Sequence, residues 1–224
     1  MLRPLSEDLF IKDVPFRVSG FVLGARMTVI RLSEGGLWLH SPVKLDAETR
    51  SAVDALGPVR FLVAPNVMHH LWLGDWAAAY PSAKVLAPAG LRKKRPDLRI
   101  DVELSDVMDV GQSPDIELLL AHGIPKFEEF VFLHRPSRTL LLTDVAFNIH
   151  ESSSWLTRNY LKLCGAYGRL APTWVLKFMV KDKAALRAWR DRVLSWDFDR
   201  VVPCHGRVLE SGGREALREG FAWL

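Results

Sequence analysis

VRFLVAPNVMHHLWLGDWAAAYPSAKVLAP (residues 59–88) is the stretch that decides the fold. It opens on a short apolar run, bounded by Gly57-Pro58 and closed by Pro65, as a buried strand is. The residues that follow read as a helix from about Met68 to Tyr80, stopped by Pro81. AKVLAP (83–88) is a second buried strand. Strand, helix and strand in so short a span imply a parallel pair with the helix packed on the sheet.

The segments on either side extend the sheet. RMTVIRL (26–32), the turn SEGG (33–36) and LWLH (37–40) form a hairpin, and Pro42 stops the return strand. DAETRSAVDALG (46–57) starts on a capping Asp46 and ends on Gly57, as a short helix does. Downstream, DIELLLAHG (115–123), EFVFLH (129–134) and TLLLTD (139–144) read as a three-strand meander. Residues 148–181 are helical, aromatic and basic, with no strand of their own, and read as an insertion lying over the sheet. In 182–196, Leu186, Trp189, Val193 and Trp196 make one apolar stripe behind a capping Asp182. RVVPCHG (200–206) is the last strand and its loop, and a final helix ends the chain. Strands, then βαβ, then a meander, then helix–strand–helix predict a single α/β domain over residues 1–224, a four-layer αββα sandwich.

Composition narrows the function classes. The net charge of +4 owes much to LRKKRPDLR (91–99), read as a solvated loop. No aromatic residue interleaves with those charges, so base stacking, and with it a nucleic-acid partner, is not expected. No glycine-rich phosphate loop follows a strand. Two cysteines, Cys164 and Cys204, imply no disulfide framework. The first residues carry acidic side chains and lack the apolar core of a secretory signal, and no apolar run is long enough to span a bilayer. The expectation is a cytoplasmic protein with no membrane partner.

The histidines carry the chemistry. His40, His69, His70, His122 and His205 each fall just after an apolar strand, as does Asp144. Side chains at strand ends converge on one edge of an α/β sheet, where such folds place their sites. Neutral imidazole and carboxylate are ligands of zinc, iron and manganese. Each histidine alone is as readily a hydrogen-bonded loop residue, and His69 and His70 could simply cap a helix near Asp75. His134 and His150 are read as surface residues or as groups behind the ligands.

These segments resemble, over nearly the whole chain, the metallo-β-lactamase superfold, and within it a branch carrying the domain of unknown function DUF4336. FLVAPNVMHHLWLGDWAAAYPSAKVLAP is similar to the superfold's strand, metal loop, helix and strand, where the loop reads His-x-His-x-Asp-His. The resemblance assigns His122, in LLLAHGIPKFEEFVFL, to a third-ligand segment. It assigns Asp144, in RTLLLTDVAF, to the bridging aspartate, and His205, in RVVPCHG, to the final histidine. The loop departs from the pattern. Counted from Asn66 it reads Asn66, Met68, His70, Leu71; counted from Pro65 it reads Pro65, Val67, His69, His70. Either way the first two histidines are missing. A usual two-metal site is not implied; one metal, zinc first and iron or manganese next, or no metal at all, is. The ligand candidates are His69, His70, His122, Asp144 and His205, with Asp144 and His70 also catalytic. His40, Asn66 and Cys204 stand behind them.

The implied function is a metal-dependent hydrolase acting on an ester, lactone, thioester or related small molecule. The alternative is a non-catalytic relative that binds a small molecule or a protein. Within the insertion, Trp155, Tyr160, Tyr167 and Trp174 are read as walls of an apolar pocket and Arg158 and Arg169 as anion-binding, or the same face as a packed layer or homodimer surface.

Overall fold

The computed structural model describes residues 1–106 and 114–224. The chain runs β1 (Arg3–Pro4), β2 (Leu9–Val14), a small hairpin of β3 (Arg17–Val18) and β4 (Phe21–Val22), β5 (Ala25–Arg31), β6 (Leu37–His40), α1 (Ala47–Asp54) and β7 (Val59–Val63). It continues with α2 (Leu73–Ala79), β8 (Lys84–Ala87), α3 (Ala89–Lys94) and β9 (Val102–Glu103). The second half holds β10 (Ile116–Leu120), β11 (Phe130–His134), β12 (Thr139–Leu142), α4 (Trp155–Leu163), α5 (Trp174–Met179), α6 (Lys183–Leu194), β13 (Arg200–Pro203) and α7 (Gly213–Gly220).

Among the described residues the strands form a larger sheet in the order β1-β2-β5-β6-β7-β8-β9 and a smaller one in the order β10-β11-β12-β13. The pairs β6–β7, β7–β8 and β12–β13 are parallel. Strand alternation sorts the core into layers. Trp38, Phe61, Val63, Leu86, Phe132, Leu141 and Val202 pack between the two sheets. Leu37, Leu39, Leu62 and Val85 turn the other way, onto Val53 of α1, Leu73 and Trp76 of α2 and Leu91 of α3. Val131, Leu133, Leu140 and Val201 face Leu186, Trp189 and Val193 of α6 and Leu217 of α7. This is the four-layer αββα sandwich that the sequence predicts.

Three local expectations are corrected. The helix expected from Met68 begins only at Leu73. The Asn66 side-chain carbonyl accepts the N–H groups of Met68 and His69, at 2.7 and 2.8 Å, and holds the chain in a turn instead. The basic patch is not a loop throughout, because α3 carries its first half and buries Leu91. Its charges are engaged locally: Arg92 with Glu103, Arg95 with Asp97, and Arg99 with Asp101. His134 is not a surface residue; it is buried, with its Nδ1 bonded to Ser137.

The insertion contains α4 and α5, joined to the rest by isolated bridges such as Asn148–Gly206. Gly206 has φ +99°, and a Cβ there would collide with the Asn148 carbonyl, so only glycine fits the loop after His205. The Ser154 hydroxyl caps α4 by accepting the Thr157 N–H. No described helix is long and apolar enough to cross a membrane.

Phe132 is fully buried between the sheets, its ring edge-on to Trp38 at 5.4 Å. Phe132→Ala should lower unfolding stability by about 3–5 kcal/mol in urea titration. Phe178→Ala, at a side chain 83% exposed, should change it by less than about 0.5 kcal/mol.

Candidate metal centre

The site lies where the C-terminal ends of parallel strands from both sheets meet. In the smaller sheet Leu142 pairs with Pro203. Asp144 and His205 each lie two residues past that pair, so the ladder's register sets them side by side. In the larger sheet His40 pairs with Val63, and Ser41 and the 66–70 turn follow those strands.

Among the described residues, one group of three has metal-ligating atoms all within 4.8 Å of one another: His69, Asp144 and His205. His69 Nε2 lies 3.3 Å from one Asp144 oxygen, and His205 Nε2 lies 3.4 Å from the other. The opposite ring nitrogens are engaged behind them. His205 Nδ1 contacts the Gly24 carbonyl at 2.7 Å and His69 Nδ1 the Ser41 hydroxyl at 2.7 Å. A carbonyl only accepts, so His205 carries its proton on Nδ1. Its Nε2 faces an Asp144 carboxylate oxygen, and a cation shared between them, a proton or a metal ion, holds the pair together. A backbone carbonyl holding the far nitrogen is also the usual way a ligating histidine is oriented.

The supports are buried and mostly polar. Glu129 is fully buried and accepts N–H groups from Thr143, Asp144 and Val145, at 2.8, 2.8 and 3.0 Å. Asn66 donates to Glu129 at 3.1 Å and to Asp144 at 2.8 Å, while its carbonyl holds the backbone of His69. Arg26, also buried, clamps the His205 loop by donating to the carbonyls of Pro203 and Gly206, at 2.5 and 2.8 Å. The Cys204 thiol donates to the Arg26 carbonyl at 3.3 Å. Phe147 packs edge-on against the His205 ring at 4.6 Å.

Electrostatics follow the packing. Burial works against a charged His69, but the Asp144 carboxylate outweighs it and holds the imidazole well above its usual range. Burial likewise opposes the Asp144 charge, and His69 and His205 overcome it, so Asp144 sits far below the usual carboxylate range. Burial, then the charge of Asp144, pushes Glu129 up to about 7. His40 is lowered to about 3 by burial and by His69.

The expected site residues divide. His69, Asp144 and His205 are brought together, with Asn66 and Cys204 beside them. His70 and His122 lie apart from this group. The turn made by Asn66 sends the His70 ring to Arg95, 3.1 Å away, where burial and the neighbouring Lys94 and Arg95 lower its pKa. The His122 side chain is about half exposed and bonds Asp106 at 2.5 Å. With Pro65 and Val67 in the loop, no imidazoles accompany it to form a first metal position. His40 orients no ligand: both ring nitrogens are buried without a partner among the described residues, and the ring packs on Phe132. Glu129, Arg26 and Ser41 were missed. Only Glu129 left a signal, a carboxylate entering the apolar run EFVFLH.

A cavity of about 580 Å³ opens over the cluster. The insertion lines it through Tyr160, Thr173 and Val175 rather than Trp155, Tyr167 or Trp174. Arg158 and Arg169 are tied to the carbonyls of Ser152 and Glu219 and do not line it.

Solved structures of low identity superimpose on nearly the whole chain. The metallo-β-lactamase from Pontibacter korlensis is 16% identical, with a TM-score of 0.66 over 99% of this chain and 97% of its own. The metallo-β-lactamase FIM-1 from Pseudomonas aeruginosa, in its mono-zinc form, is 11% identical, with a TM-score of 0.67 over 100% and 95%. The metallo-β-lactamase from Hirschia baltica is 13% identical, with a TM-score of 0.65 over 99% and 96%. The chain has the metallo-β-lactamase fold. Its residues 9–91 match the family model described as Domain of unknown function (DUF4336). Among curated proteins no sequence matches significantly.

Glu129→Gln places an amide N–H₂ among N–H donors. It should cost about 1–3 kcal/mol of unfolding stability, the penalty of leaving buried polar groups unpaired, read by urea titration. In metal-free protein, the raised His69 pKa stabilises the fold fully below its ordinary 6.5 and less as pH rises through the folded value. The lowered Asp144 pKa stabilises it above its ordinary 3.8, with loss as pH falls. Thermal melting of chelator-treated protein should therefore decline above about pH 6.5, and His69→Ala should flatten that decline.

Proposed function

We propose that this protein is a hydrolase using a single divalent metal held by His69, Asp144 and His205. The observation that carries this reading is the pair of Nε2 atoms facing one carboxylate while both Nδ1 atoms are held from behind. Two imidazoles and a carboxylate are a donor set suited to zinc, iron or manganese, and three protein ligands leave a coordination position open. A metal there supplies a Lewis acid for an acyl carbonyl and acidifies water near neutral pH.

The rest belongs to the chain's own groups. Asn66 and the backbone grip of Glu129 keep Asp144 in one orientation. Arg26 and Gly24 do the same for the His205 loop. Phe147 and Met68 line the cavity over that floor. In ester hydrolysis, water adds to the acyl carbon, the acyl–oxygen bond breaks, and the alcohol leaves with a proton. His70 and Asp144 were the catalytic candidates. Asp144 keeps a role as ligand; His70 lines the cavity wall, with its ring turned to Arg95.

A non-catalytic binding protein is the second reading, favoured by Pro65 and Val67 standing where two further imidazoles are expected. Metal analysis by plasma mass spectrometry separates the two, using untagged protein purified without chelators. About one ion per chain is expected. His69→Ala, Asp144→Asn and His205→Ala should each lose it, and His70→Ala and His122→Ala should keep it. No metal in the parent, even after reconstitution, would sink the hydrolase reading.

A further inference from the structure

The cavity over the cluster has a composition the proposed hydrolysis does not require. Its volume of about 580 Å³ lies within the ~300–1,000 Å³ typical of small-molecule sites. His69, Asp144 and His205 form its floor, and Ser19, Tyr160 and Thr173 are further polar residues in the lining. The wall above is built from side chains such as Phe16, Phe21, Leu23, Val43, Phe127 and Phe147. Of the lysine and arginine side chains, Lys94 alone among the described residues reaches the lining, and its ammonium donates to the Val67 carbonyl at 2.8 Å.

The rim is apolar as well. Val18, Met68, Leu71 and Val175 line the cavity and are 44 to 55% exposed. They come from the β3–β4 hairpin, the metal loop and α5. The two capping segments are fastened to each other: the Val22 N–H donates to the Thr157 hydroxyl at 2.8 Å, and the Phe21 and Tyr160 rings lie 4.9 Å apart. The wall is therefore built before any ligand arrives.

We infer that this cavity is an acyl-chain site, in which the hydrocarbon tail of an amphiphile runs from the polar floor out past the apolar rim. The inference rests on the metal-site reading for the orientation of the ligand's head. Its substrate class is an acyl ester, thioester or lactone with a medium-length saturated chain. A single polar group meets the floor, and each methylene laid along the wall adds the free energy of its removal from water.

The test has one arm that needs no turnover. N-phenyl-1-naphthylamine should fluoresce on binding, and butanol, hexanol, octanol and decanol should displace it with affinity rising roughly three- to fourfold per methylene. Leu71→Glu and Val175→Glu place a charge at exposed rim positions. They should weaken decanol binding tenfold or more while thermal melting stays unchanged. The second arm measures kcat/KM for p-nitrophenyl acetate, butyrate, octanoate and decanoate on metal-loaded protein, with the same trend expected. Displacement by free decanol and by decanol in phosphatidylcholine vesicles distinguishes a soluble acyl compound from a membrane lipid, and either supports the site. Affinity indifferent to chain length, or unchanged in both variants, would overturn it. Chain-dependent binding without turnover leaves the acyl site and sinks the hydrolase. Turnover indifferent to chain length does the reverse.

Discussion

A buried carboxylate organises this molecule's working edge. Glu129 has no exposure, and every polar contact it makes is with a donor. Three of those donors are consecutive backbone N–H groups after β12, and they fix the direction in which Asp144 leaves its strand. The fourth is Asn66, which also fixes the turn after β7 and so the direction of His69. Two sheets that otherwise meet through apolar packing are joined here by a polar network. In a low-dielectric interior such a network stabilises one geometry when complete and costs several kcal/mol when broken.

The fold was legible because its signals are local. The strands around Val59–Val63 and Lys84–Ala87 are short apolar runs cut by proline, and the α6 stripe of Leu186, Trp189 and Val193 has helical spacing. Capping by Asp46 and Asp182 is also a local matter, and both accept from the third residue on. The elements that escaped reading include the two-residue strands β3, β4 and β9, too short for any periodicity to register, and also six-residue β2 and α3.

The site was legible only in outline, because its choices are made across the chain. His69 and His70 are adjacent, and nothing in their spacing says which faces Asp144. The decision belongs to Asn66, whose carbonyl caps the turn, and to Arg95, which receives the other ring. His122 follows a strand like the rest, but it ends a strand antiparallel to β11 and turns toward Asp106. The strand-end rule holds for Asp144 and His205 because their strands are parallel and in register. Arg26 sits inside a strand that reads as ordinary alternation, and its carbonyl partners lie 177 and 180 residues away.

Those separations bear on how the protein comes into being. The hairpin that caps the site is synthesised well before Thr157, which fastens it from 135 residues downstream. The carbonyls that saturate Arg26 emerge later still. The larger sheet can assemble while the chain is incomplete, with Arg26 paired only to Asp13 of β2 and the apolar hairpin uncovered. Contacts this distant in sequence delay folding through the entropy of closing long loops. The nascent chain therefore passes through an interval in which the finished half displays a sticky rim to its surroundings; α4 ends that exposure, and β13 with the loop after it supplies the final imidazole and the carbonyls that lock it in place.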